Sequence, residues 1–108
     1  MEKHGFILSI DQGTSGTRSS LVDSSGVIVG SAYQEITQYF PSPGWVEHDP
    51  EELFQSVLET IENLLDEFEV APENIRSIGI TNQRETTLIW DRRTGKPIYN
   101  AIVWQCRR

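Results

Sequence analysis

Residues 7–18 read ILSIDQGTSGTR, an apolar run that ends at a carboxylate and passes into glycine, threonine and serine. The continuous apolar run from Phe6 to Ile10 is typical of a central strand that is covered on both faces of its sheet. Asp11 follows the carboxyl end of this strand, the position where ligands gather in open α/β sheets. The stretch therefore predicts a central strand followed by either an ordinary polar hairpin or a phosphate-binding turn.

The segment GTSGT, residues 13–17, is compatible with both kinds of turn. Its glycines leave backbone N–H groups accessible, and the hydroxyls of Thr14, Ser15 and Thr17 suit phosphate oxygens. Asp11 beside the turn suits Mg²⁺, which takes few protein oxygens and keeps several waters. No lysine and no helix follow in the pattern that a Walker loop requires, so that class of phosphate site is excluded.

The patterns after the turn predict an α/β fold that begins with an antiparallel three-strand meander. A second strand spans Thr17 to Val22, and a third occupies residues 27–36 after the glycine-containing turn DSSG. Residues 37–50 are rich in proline and aromatic side chains, and they predict a loop without regular secondary structure.

A helix after this loop is the clearest pattern in the chain. Asp49 is suited to the N-cap, Pro50 suits the first helical position, and Pro72 prevents continuation at the far end. Apolar side chains recur at helical spacing opposite an acidic face, at Leu53, Phe54, Val57, Leu58, Ile61, Leu64, Leu65 and Phe68. Burial of each is worth about 1.5 to 3 kcal/mol, so we expect the helix to dock on the sheet through them.

Further strands complete a mixed sheet. Residues 74–83 predict a strand parallel to the first, because a helical crossover precedes it. Residues 86–91 and 98–105 predict two more extended segments on either side of a turn. No helix follows to cover the second face of the sheet, so we expect an exposed apolar patch and interpret the chain as the front part of a larger protein.

Composition limits the partners. The net charge of −7 over 108 residues argues against nucleic acid and against an anionic membrane surface. Cys106 is the only cysteine and has no intramolecular disulfide partner, and no apolar run approaches the length of a membrane span. We expect a cytoplasmic protein whose partners are small molecules or proteins.

Three motifs extend the interpretation of the opening stretch: PSPGWVEHDP at 41–50, GITNQRETT at 79–87 and NAIVWQCRR at 100–108. In this order and spacing the chain, from Phe6 to Arg108, resembles the N-terminal part of the FGGY carbohydrate kinases, and within them the glycerol kinases. The resemblance implies a ribonuclease H-like, actin-like ATPase fold, of which residues 1–108 form the N-terminal part of the first domain. On this resemblance we expect the second domain of such a kinase to be absent from this chain.

The resemblance also implies which residues bind the nucleotide. Asp11 lies near the catalytic Mg²⁺ in such a kinase, and Thr14, Ser15, Gly16 and Arg18 lie near the phosphates of ATP. This chain has TSGTR where many relatives have TTSSR, so residue 16 offers only its backbone N–H. Without the resemblance, the favoured interpretation of the arginine at position 18 is an ordinary strand residue paired with a surface carboxylate.

Glycerol binding is implied for Arg84 and Glu85, with Trp104 as an apolar wall against the carbon chain. A carboxylate accepts from two neighbouring hydroxyls and a guanidinium donates in a fixed fork, which suits a triol. The alternatives are a solvated ion pair and a core tryptophan. His48 precedes the helix cap, and we assign it a structural role and no catalysis.

The implied activity is phosphorylation of glycerol by ATP to sn-glycerol 3-phosphate, in glycerol catabolism. No catalytic residue is assigned in this chain, because the general-base aspartate of the family lies beyond the region that matches, and we expect the isolated chain to be inactive. The full-length protein is expected to form a homo-oligomer. Two alternatives remain open: a related kinase acting on another polyol or sugar, and a truncated domain without enzymatic function.

Overall fold

The structure, a computed structural model, describes residues 5–108. Its elements are β1 (Phe6–Gln12), β2 (Gly16–Val22), β3 (Ile28–Glu35), β4 (Glu47–His48), α1 (Pro50–Glu67), a 3₁₀ turn (Pro72–Asn74), β5 (Ile75–Thr81) and β6 (Ala101–Ile102). The main sheet has the order β3-β2-β1-β5, with β1 antiparallel to β2 and parallel to β5. The predicted α/β fold with a mixed sheet is confirmed.

Strand β1 occupies the predicted central position, between β2 and β5. Leu8 and Ile10 are buried in one core cluster with Leu21 of β2 and Leu64 of α1. Ile7, on the opposite face, is 44% exposed. The prediction that β1 is covered on both faces was therefore wrong for the described residues, because the only long helix among them lies on one side of the sheet.

Helix α1 begins as its sequence predicts. The Asp49 carboxylate accepts a hydrogen bond of 3.0 Å from the Glu51 N–H, and Pro50 holds the first helical position. The helix ends at Glu67, before Pro72 is reached. The capping residues thus fix where the helix begins.

The face through which α1 docks differs from the prediction. Its buried residues are Ser56, Thr60 and Leu64, whereas Phe54 is 65% exposed and Leu58 is 44% exposed. Thr17 and Ser19 of β2 pair their hydroxyls with those of Ser56 and Thr60, and Leu21 lies in the core cluster with Leu64. The contact therefore combines two hydroxyl pairs with leucine packing. The expectation that all eight apolar residues dock on the sheet was wrong.

The later segments are shorter than predicted. The loop at 37–50 contains β4, which pairs with β6 in a separate two-stranded sheet. Residues 86–91 form only isolated bridges, and residues 98–105 contain only the two residues of β6. Because the N-cap of α1, Asp49, directly follows β4, the strand ends at His48, and the β4–β6 ladder has only two residues on each strand.

Strand β5 forms an exposed apolar edge. Ile78 and Ile80 lie beside Leu8 and Ile10 in the sheet register, yet they are 56% and 72% exposed. Helix α1 packs mainly on β2 and β3 and does not extend over β5. Paired residues of neighbouring strands point to the same face, so this exposed apolar patch lies on the helix side beyond α1 and not on the opposite face, for which it was predicted. No helix within residues 5–108 is long and apolar enough to cross a membrane.

Candidate nucleotide and substrate cleft

The parallel pairing of β1 with β5 creates the site. Asp11 lies opposite Thr81 in the register, so the turn after β1 and the residues after β5 emerge at the same edge of the sheet. A cleft of about 570 Å³ opens there. Its lining comes from both segments and from one more distant residue: Gly13, Thr14, Asn82, Gln83, Arg84, Glu85 and Trp104.

The small β4–β6 sheet brings Trp104 to the cleft. Thr87 and Ile102 exchange backbone hydrogen bonds of 3.0 and 2.9 Å, which tie the chain after Glu85 to the chain before Trp104. Trp104 is 54% exposed in the cleft, so it is not a core tryptophan within the described part of the chain. Residues of the two predicted substrate motifs therefore share one cleft with the glycine turn.

The glycine turn is a tight hairpin with Thr14 and Ser15 at its centre. The Gly13 N–H donates to the Gly16 carbonyl at 2.9 Å. Within residues 5–108, the N–H groups of Thr14 and Ser15 donate to no protein acceptor. Two adjacent backbone donors at an open turn form a concavity that suits an anion.

Residues after the turn belong to the strand. Thr17 is fully buried, and its hydroxyl is 2.6 Å from that of Ser56 in α1, so the expectation that this hydroxyl contacts phosphate was wrong. A Cβ on Gly16 would lie 2.5 Å from both the Gln34 carbonyl oxygen and the Tyr33 hydroxyl. Glycine is therefore required at this position while Tyr33 occupies its present place.

Asp11 and Arg18 are cross-strand neighbours, and both are exposed. The Arg18 guanidinium lies over the Tyr33 ring, 4.9 Å from its centre, and within residues 5–108 it makes no ion pair. The described residues contain no cluster of three or more metal-ligating side chains, so Asp11 stands as a single carboxylate. One carboxylate beside a phosphate site fits Mg²⁺, which is commonly held by one or two carboxylates, waters and substrate phosphates.

Arg84 and Glu85 form the turn that follows β5. Both side chains are exposed, and Glu85 has a φ of 58°, in the left-handed region. Such a conformation costs a non-glycine residue of order 1 kcal/mol and is found more often at functional sites. Glycine would be less strained at position 85, yet the chain has a glutamate there, with its carboxylate at the cleft.

A buried carboxylate supports the segment that carries Trp104. Glu47 accepts hydrogen bonds from Tyr99 at 2.8 Å and Asn100 at 3.2 Å, and it forms an ion pair with Arg108. Burial alone raises the pKa of Glu47, but these donors, with Arg108 foremost, outweigh it and hold the pKa below its ordinary value. The carboxylate therefore stays charged and keeps the β4–β6 sheet tied to the end of the described chain.

His48 is fully buried beneath the turn. Its burial lowers the pKa of the imidazole, and the nearby Glu52 carboxylate acts in the opposite direction with less effect. An imidazole with no exposed surface has no access to a substrate in the cleft, which agrees with the structural role expected for it.

Sequence reasoning did not single out Asn82 and Gln83, which also line the cleft. Both fell inside the strand predicted at 74–83, whereas β5 ends at Thr81 and leaves them at the edge of the sheet, where ligands gather.

The comparisons with known proteins agree with this geometry. The model of the FGGY family of carbohydrate kinases, N-terminal domain, matches residues 6–108. The chain belongs to the FGGY family of carbohydrate kinases. The predicted resemblance is thereby confirmed.

Named members of the FGGY family show how far the similarity extends. The chain is 57% identical to glycerol kinase of Carboxydothermus hydrogenoformans over 103 residues, 95% of this chain and 21% of that protein. The crystal structure of Plasmodium falciparum glycerol kinase with ADP is 45% identical, with a TM-score of 0.76 over 95% of this chain and 21% of that one. A ligand-bound xylulose kinase of Lactobacillus acidophilus is 25% identical, with a TM-score of 0.81 over 94% of this chain and 20% of that one. This chain thus spans about a fifth of the length of its FGGY relatives.

Proposed function

We propose that the chain forms the phosphate-binding and glycerol-binding part of a glycerol kinase, which transfers the γ-phosphoryl group of ATP to a terminal hydroxyl of glycerol. The observation that carries the proposal is the shared cleft, which brings Thr14 of the glycine turn to Arg84, Glu85 and Trp104. Sequence identity to named glycerol kinases, at 52 to 57%, favours glycerol over the pentulose of the xylulose kinase.

The turn is the proposed phosphate site. The N–H groups of Thr14 and Ser15 donate to no protein acceptor within residues 5–108, and both residues also carry a hydroxyl. Gly16 contributes only backbone, and Arg18 supplies positive charge from the next strand. Phosphoryl transfer depends mainly on alignment and on neutralisation of charge, and backbone donors with one cation provide both.

Asp11 is the proposed ligand for Mg²⁺, directly or through water. When bound, the ion would neutralise phosphate charge beside the turn. Asp11 is exposed near the end of β1, opposite Arg18 and two residues before the turn, which supports this assignment.

Arg84 and Glu85 are the proposed glycerol ligands. The carboxylate accepts from two neighbouring hydroxyls while the guanidinium donates to a third oxygen. The indole of Trp104 covers the carbon chain, and its exposure in the cleft supports this role. Together they hold a terminal hydroxyl toward the phosphate turn.

The chain supplies no general base in this proposal. We expect the general-base aspartate of the family and its adenosine-binding domain to lie outside residues 1–108. The full-length protein is expected to be a cytoplasmic homo-oligomer. The exposed Ile78 and Ile80 at the β5 edge support a covering element outside the described residues. We therefore expect the isolated chain to bind ATP weakly and to form no ADP in the presence of glycerol.

A chimaera tests the proposal. Residues 6–108 replace the matching 103 residues of the Carboxydothermus hydrogenoformans enzyme, and glycerol-dependent ADP formation is measured. We expect activity, and we expect Glu85→Gln to raise the KM for glycerol roughly 10- to 100-fold, the range for a lost charged hydrogen bond.

Glu69→Gln is the matched control. Glu69 is also exposed and also has a positive φ, of 54°, but it follows α1 and does not line the cleft. Its substitution should leave the KM unchanged. Equal effects of the two substitutions, or a preference of the chimaera for a pentulose over glycerol, would contradict the proposal.

A further inference from the structure

Three consecutive carbonyl groups of the turn each accept a hydrogen bond from a residue outside it. The Gly13 carbonyl accepts from the Gln83 side chain at 3.1 Å, and the Thr14 carbonyl accepts from the Gln38 side chain at 2.8 Å. The Ser15 carbonyl accepts from the Ile36 N–H at 3.1 Å. Because the C=O and N–H of a trans peptide point in opposite directions, these bonds also fix the direction of the Thr14 and Ser15 N–H groups, which point away from the two glutamines.

One buried imidazole joins the two glutamines. The Gln83 side-chain nitrogen is 3.0 Å from His48 Nδ1, and the Gln38 side-chain oxygen is 2.8 Å from His48 Nε2. Thr86 donates to the Gln83 side-chain oxygen at 2.9 Å. The connected set thus extends from the turn that carries Arg84 and Glu85 to the phosphate turn.

The backbone carbonyls decide every orientation in this set. A carbonyl only accepts, so each glutamine must present its NH₂ group to the turn. The Gln83 NH₂ then also donates to His48 Nδ1, which must be unprotonated. The Gln38 oxygen faces His48 Nε2, which must carry the proton. An imidazolium would place a second donor against the Gln83 NH₂ group.

We propose that Gln38, His48 and Gln83 form a positioning relay that aligns the phosphate turn with the glycerol-binding turn, with His48 neutral and protonated at Nε2. The alignment of the two binding turns rests on the proposed function, whereas the hydrogen bonds of the relay do not depend on it. None of the three is a catalytic residue, since His48 is fully buried and the two glutamines act through the backbone of residues 13 and 14.

Nuclear magnetic resonance of the imidazole nitrogens tests the relay in the 108-residue chain itself at pH 7. The sequence contains only one other histidine, His4, so the spectrum is simple. We expect His48 to show the Nε2-protonated tautomer. A signal of the Nδ1-protonated tautomer, of an imidazolium or of an unstructured histidine would overturn the proposal.

Kinetics of the chimaera test whether the relay positions the phosphate turn. Gln38→Glu places a carboxylate against the Thr14 carbonyl, and we expect a roughly tenfold rise in the KM for ATP with an unchanged KM for glycerol. Gln55→Glu makes the same chemical change on the exposed surface of α1 and should alter neither constant. General destabilisation would instead lower kcat at unchanged KM, and that result, or no change, would refute the relay.

A chimaera without any glycerol kinase activity would refute the proposed function alone. The tautomer of His48 in the isolated chain would still decide whether the relay exists. The two proposals therefore fail separately.

Discussion

The buried hydroxyl pair between β2 and α1 gives a quantitative test of why Thr17 is absent from the phosphate site. The Ser56 hydroxyl donates to the Leu53 carbonyl at 2.7 Å, so the hydroxyl of Thr17, 2.6 Å away, must donate to Ser56. Ser56→Ala leaves the Thr17 hydroxyl buried without a partner, at a cost of about 1 to 3 kcal/mol in the free energy of unfolding.

The double substitution should cost less than the sum of the single ones. Thr17→Val keeps the side-chain shape and removes the donor, while Ser56 keeps its bond to the Leu53 carbonyl. We expect the double variant, Thr17→Val with Ser56→Ala, to lose about 1 to 2 kcal/mol less unfolding free energy than the two single variants lose together, because no unpaired donor remains in it.

Urea unfolding of the four chains, followed by circular dichroism, measures this coupling. Ser24→Ala, in the exposed turn between β2 and β3, is the control for loss of a serine hydroxyl. If the losses of unfolding free energy in the two single variants add up to that of the double variant within about 0.5 kcal/mol, the direct hydrogen bond between Thr17 and Ser56 is refuted. A higher KM for ATP in the Thr17→Val chimaera would refute the assignment of this residue to the helix contact.

Two further predictions concern Gly16 and His48. Gly16→Ser should lower the unfolding free energy by about 1 to 3 kcal/mol, because the new Cβ meets the backbone of Gln34. Gly79→Ser is the control for loss of glycine, because a Cβ there meets nothing and the residue has no positive φ; equal effects of the two substitutions would contradict the steric argument. Burial lowers the pKa of His48 from its ordinary 6.5, so the unfolded chain binds more protons in acid. The contribution of His48 to the unfolding free energy should therefore be complete above about pH 6.5 and should decrease below that pH by up to about 1.4 kcal/mol per pH unit. His48→Phe should remove this pH dependence in urea titrations, and an unchanged pH dependence would contradict the prediction.

Much of the fold was predictable because local signals agreed with tertiary packing. The Asp49–Pro50 cap, the meander and the parallel strand at 75–81 each depend on neighbouring residues or on a chirality rule that holds for nearly all crossovers. Residues 86–91 and 98–105 were less predictable, because an apolar, β-prone run becomes a strand only where a partner strand is available.

The docking face of α1 was also only partly predictable from the sequence. Periodicity located the apolar stripe, but it did not show that Ser56 and Thr60 would be the residues closest to β2. The rotation of a helix about its axis depends on the side chains of the opposing strand, and those are distant in sequence.

The sequence alone determined the strand that ends at Asp11, the glycine turn, the helix and the motifs that place the chain among the carbohydrate kinases, since each lies in a short continuous stretch. The tertiary structure decided which of these residues meet. Parallel pairing of β1 with β5 placed Arg84 and Glu85 beside the turn, and the β4–β6 sheet brought Trp104 to the same cleft. It also buried Thr17, because side-chain direction in a paired strand is set by the register of the sheet.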